Sequence, residues 1–106
     1  MADLDRVAPI RADDQDAGLT VAEGGTAENA LAADAARTYV EILNPSTETE
    51  VIYFRFDGTA AADKTSRSLI AGQAWWNPPG FCPKGALSVL AATTGHVIVV
   101  KYRSGT

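Results

Sequence analysis

What most constrains this chain is a rhythm of short runs in which large apolar side chains recur at every second position, broken by Gly, Pro, Asn and Asp. Residues 38–43, 51–56, 86–91 and 97–102 are such runs. The breaks are Asn44-Pro45-Ser46, Asp57-Gly58, Asn77-Pro78-Pro79-Gly80 and Thr93-Thr94-Gly95. Successive side chains of a strand point to opposite faces, so this alternation turns one face of each run towards a core. Short strands punctuated in this way predict an all-β fold: a small antiparallel β-sandwich or barrel, jelly-roll-like, of seven to eight strands. Such a body offers a surface for docking rather than a pocket for chemistry.

Each run has a readable face. In 38–43 the expected core face is Thr38, Val40 and Ile42, with Tyr39, Glu41 and Leu43 opposite. In 51–56 Ile52, Phe54 and Phe56 are expected to face inward. Residues 97–100 are apolar on both faces, which predicts a central strand or one covered by a partner. Shorter candidates lie at 19–22, 30–33, 68–70 and 73–76. Residues 26–36 are ambiguous, because Thr26 suits an N-cap and the alanines that follow are good helix formers. Leu31 is the only large apolar side chain there, too little to anchor a helix, so extended structure is expected.

At 106 residues the chain makes one domain. Its charge divides it. Residues 1–34 carry eight acids against Arg6 and Arg11, a balance of −6; residues 35–106 carry five acids against seven bases, a balance of +2. Residues 1–17 are acidic, lack periodicity and offer only Leu4, Val7 and Ile10 as large apolar groups, so they are expected to form an arm, flexible alone or laid along a partner. The β-sandwich domain is expected over 18–106. The net charge of −4 argues against nucleic acid as a partner. No apolar run reaches the roughly 18 residues of a membrane span, and 1–10 lack the apolar centre of a signal peptide. A soluble protein made in a cytosol is expected.

No constellation of residues selects a reaction. His96 is the only histidine and Cys82 the only cysteine, so neither a zinc cluster nor an intrachain disulfide can be built from them. There is no Gly-x-Ser-x-Gly elbow to supply a nucleophile for His96, which is read as a structural strand-end residue. Cys82, between Phe81 and Pro83, is read as a small buried hydrophobe. Asp13-Asp14-Gln15-Asp16 lacks the glycine and glutamate of a calcium loop and is read as a solvated charge run. Gly24-Gly25 lacks the lysine of a phosphate loop. No catalytic, metal or cofactor-binding residues are assigned, and an enzyme is not expected.

One cluster stands out. Trp75 and Trp76 precede Pro78, Pro79 and Phe81, and on a strand the two indoles must point to opposite faces. One is expected to enter the core, while the other joins the prolines and Phe81 in an aromatic patch suited to a protein interface. Two alternatives stand beside this: a loop that closes the end of the sandwich, and a platform on which Trp75 or Trp76 stacks against sugar.

From Gly24 to Arg103 the chain resembles a family of small β-rich virion structural proteins of tailed bacteriophages. The resemblance is carried by Gly24-Gly25-Thr26, Arg37, Leu43-Asn44-Pro45-Ser46, Tyr53-Phe54 to Gly58, Ser68-Leu69-Ile70-Ala71-Gly72, Trp75-Trp76, Gly85-Ala86-Leu87-Ser88 and Thr94-Gly95. It implies a head decoration or cement subunit, or a low-copy piece of the neck, tail, baseplate or fibre attachment. The implied partners are the major capsid protein or other virion proteins, with homo-oligomeric or lattice-bound assembly. The implied location is the virion, after synthesis in the host cytoplasm. A carbohydrate-binding module using Trp75 or Trp76 is the reading from another class.

Overall fold

The computed structural model describes residues 14–78 and 80–105. These form nine strands and no helix: β1 (Gln15–Asp16), β2 (Leu19–Thr20), β3 (Glu28–Leu31), β4 (Arg37–Leu43), β5 (Ile52–Phe56), β6 (Arg67–Leu69), β7 (Ala74–Trp76), β8 (Leu87–Ala91) and β9 (Val97–Ser104). One sheet runs β1-β9-β4-β7, with β2 also on β9; the other runs β3-β8-β5-β6. Every pairing is antiparallel. From β2 onwards the chain changes sheet at every connection except the β5–β6 hairpin. That is the strand order of a jelly-roll sandwich.

The alternation read from the sequence builds the interior. Val40, Ile42, Ile98 and Val100 from one sheet meet Ile52, Phe54, Leu87 and Val89 from the other, all at 0 or 1% exposure. β9 lies inside its sheet, one of the two placements its doubly apolar run allowed, and residues 28–31 are extended. β8 is buried on both faces because the loop after β5 folds over it, where the Ala60 N–H donates to the buried Ser88 hydroxyl at 2.9 Å.

Two details differ from the sequence reading. The register of β4 on β9 shifts between Arg37 and Tyr39, so Thr38 is exposed and Arg37 turns inward instead. The Arg37 guanidinium is 1% exposed and donates to the carbonyls of Pro83, Gly85 and Ala32 at 2.8, 3.0 and 2.7 Å. Sheet pairing also begins earlier than expected, since Gln15 and Asp16, read as part of the arm, pair with Tyr102 and Lys101 of β9. The remainder of the arm, 1–13, lies outside the described residues.

Candidate aromatic cleft at the mouth of the sandwich

β6 and β7 are the last strands of their sheets, and the sandwich opens between them. Trp75 pairs with Ile42, whose side chain is in the core, so Trp75 points inward. Its ring lies 5.6 Å from that of Phe54 and 5.8 Å from that of Phe56, both tilted, and the two phenylalanines meet edge-on at 6.3 Å. Trp76 pairs with Glu41 and therefore sits half-buried on the outer face of the same sheet. One indole enters the core and the other does not, as their adjacency required.

Asn77 shapes the loop beyond β7. Its side chain, in a residue only 8% exposed, accepts from the Val40 N–H at 2.9 Å and donates to the carbonyls of Pro78 and Phe81 at 3.1 and 2.8 Å. The Phe81 N–H closes a turn onto the Pro78 carbonyl at 3.1 Å, and Gly80 takes the left-handed φ of 80° that this turn demands. Phe81 is thereby held out at 62% exposure, the most exposed large apolar side chain among the described residues. Beneath it is a cleft of about 500 Å³. Phe56, Trp75 and Phe81 line it together with Arg67, Lys84 and Asp57.

The aromatic patch is therefore assembled differently from the expectation. The tryptophan that shares a surface with Phe81 is the inward Trp75, reached through the open mouth, and the outward Trp76 is not part of that cleft. Pro78 is exposed at the base of the loop, and Pro79 lies outside the described residues. Cys82 packs half-buried against the core, and burial pushes its thiol above the ordinary range.

The other polar residues serve the fold. His96 is 3% exposed; its Nε2 meets the Asn44 Oδ1 at 2.8 Å and its Nδ1 lies 3.8 Å from Glu48. Asn44 is fully buried and donates through Nδ2 to the carbonyls of Glu50 and Leu69 at 2.8 and 2.9 Å. The acidic run is not uniformly solvated: the Asp14 side chain is 2% exposed and accepts from Arg103 at 2.8 Å, whereas Asp16 is open to solvent 3.5 Å from Lys101. Asp13 is outside the described residues. On the outer face of β4, Tyr39 and Glu41 are 4 and 6% exposed. Burial raises the Glu41 carboxyl above its ordinary range, opposed by the neighbouring Tyr39 hydroxyl. Burial also raises the Tyr39 hydroxyl, reinforced by the charges of Glu41 and Asp14. Among the described residues no three His, Cys, Asp or Glu side chains gather where an ion could be held.

The sequence offered a weak signal for the residues it missed. An Asn directly before Pro-Pro, and an Arg alone among alanines, are positions where a side chain can stand in for absent backbone partners. Comparison with family models, with curated proteins and with solved structures returns no match for this chain.

Proposed function

We propose that this chain is a structural subunit of a tailed-phage virion, and specifically a head decoration or cement protein that clamps adjacent capsid subunits by protein–protein contacts. The observation that carries the reading is Phe81, displayed over an aromatic-floored cleft by a buried asparagine dedicated to that loop. Large aromatics at an open, rigidly built surface are the usual anchors of protein interfaces. A jelly roll hosts many roles, so the fold alone decides nothing. The motifs that resemble small phage virion proteins add the second support. The reading calls for no catalytic group, cofactor or nucleic-acid contact.

Copy number in gradient-purified particles, measured by quantitative mass spectrometry against the major capsid protein, tests it. On this reading the protein is present in hundreds of copies, on the order of the capsid lattice sites. About a dozen copies would move it to the neck, tail or fibre base. Absence from particles would overturn the virion reading.

A further inference from the structure

The cations of this molecule are unevenly placed. Seven Lys and Arg side chains lie among the described residues, and three of them are held by other groups and line neither hollow at the mouth. Arg37 is held by backbone carbonyls, Lys101 by Asp16 and Arg103 by Asp14. The other four, Arg55, Lys64, Arg67 and Lys84, border the cleft and a neighbouring hollow that shares Phe56 and Arg67 with it. Lys84 donates to the Arg37 carbonyl. Arg55, Lys64 and Arg67 form no ion pair among the described residues. Asp57 is the one carboxylate among the described residues lining either hollow. Asp63 is near Arg55, but its Oδ1 already accepts from the N–H and the hydroxyl of Thr65. Among the described residues of a chain of net charge −4, the cations that neither a carboxylate nor a carbonyl holds, Arg55, Lys64 and Arg67, thus gather beside the aromatic mouth.

We propose that this mouth docks an extended, carboxylate-rich polypeptide segment of a partner protein. An apolar side chain of the segment lies against Phe81, Trp75 and Phe56, and its carboxylates meet Arg67, Arg55 and Lys64. The assignment rests on the reading of this surface as a protein interface, and names the chemistry of what it binds. Charge complementarity selects an acidic partner, because a cationic rim over a low-dielectric floor attracts anions and repels basic segments. The flanking strands select an extended chain: among the described residues β6 pairs only with β5 and β7 only with β4, which leaves two strand edges beside the cleft for an added strand. A sulfated sugar or a nucleotide would use the charge but not the edges.

The test is a titration of the full chain with the peptide acetyl-Glu-Glu-Phe-Glu-Glu-Leu-Glu-amide, read by tryptophan fluorescence and by NMR shifts. Saturable binding is expected, weakened about tenfold or more by Arg67→Glu and several-fold by Phe81→Ala. Ionic strength of about 0.5 M should weaken it likewise, and the peptide with Gln for every Glu should not bind. Arg67 and Phe81 are exposed, so both variants should keep the parent's unfolding midpoint. No saturable signal, or binding indifferent to Arg67→Glu, overturns the proposal. So does a sulfated oligosaccharide or a single-stranded oligonucleotide that saturates the mouth where the peptide fails. The result is separable from the virion reading. A chain present in hundreds of copies per particle yet blind to the peptide keeps that role and loses this ligand, while one absent from particles that binds the peptide does the reverse.

Discussion

Asn44 shows what the Asn-Pro-Ser turn is for. One buried side chain joins the end of β4, the turn before β5, the end of β6 and the start of β9, through Glu50, Leu69 and His96. Asn44→Ala would remove two hydrogen bonds in a buried site, to the Leu69 carbonyl and to the His96 ring, and a part-buried one to the Glu50 carbonyl, where each buried group left unpartnered costs about 1–3 kcal/mol. The expected loss is about 3 kcal/mol, read as a lower urea midpoint at unchanged slope; a loss under about 1 kcal/mol would mean that water replaces the side chain. Glu41 makes the opposite kind of prediction. Its carboxyl is raised in the folded state by burial, so the native protein holds that proton to higher pH than the unfolded chain does. Its contribution to stability is therefore largest below the ordinary carboxylate range and is lost as pH rises through the folded value. Asp16, Asp34 and Asp63 act in the other direction, because hydrogen bonds to their ionised forms lower them, and their contributions fade as pH falls. Glu41→Gln isolates the first effect: the variant should gain stability on the parent as pH rises from about 4 to 7. A constant difference across that range, in thermal unfolding followed against pH, would remove the buried charge as its cause.

Among the elements, the longer strands were legible because each carries its own period-two pattern. Val40, Ile42, Ile52 and Phe54 all lie where alternation places them. What alternation cannot encode is a register shift, and the one in β4 exchanges Thr38 for Arg37 on the inner face. The short edge piece β1 was equally hard to read, since a two-residue strand exists only through its partner β9, whereas β2 falls inside the strand expected at 19–22. For the cleft, the residue types were legible and their assembly was not, because Phe56, Arg67, Trp75 and Phe81 come from three strands and a loop. β7 provides the direct test. Trp75→Ala removes a ring packed on two phenylalanines of the opposite sheet and should cost about 3 kcal/mol or more. Trp76→Ala, on the outer face, should cost about 1 kcal/mol. Equal losses in denaturant unfolding would mean that Trp76 also supports the core. A tighter constraint sits at Gly24, where an added Cβ would fall 2.3 Å from the Ala92 carbonyl oxygen. The first glycine of Gly-Gly-Thr is there for close approach of two backbones.

Joined together, these pieces make a body that is stabilised at one place and displayed at another. Asn44, Arg37 and His96 fasten loops to the sandwich through buried hydrogen bonds, whereas Asn77 spends its bonds on holding one loop in a shape that leaves Phe81 outside. An apolar ring left 62% exposed contributes little to folding, so Phe81→Ala should change stability by no more than about 0.5 kcal/mol. On the decoration-protein reading the same substitution acts on assembly. Truncating an interface anchor typically costs more than about 1.4 kcal/mol per site, which is tenfold in affinity. Heads prepared without the protein and incubated with equal, limiting amounts of parent or Phe81→Ala chain should therefore bind far less of the variant, with both chains unfolding at the same midpoint. Gradient sedimentation of the heads, with bound chain quantified against the major capsid protein, gives the comparison directly. Equal binding would place the contact elsewhere, with the outer face bearing Trp76 the next surface to substitute. Reduced binding together with a lowered midpoint would return Phe81 to the fold.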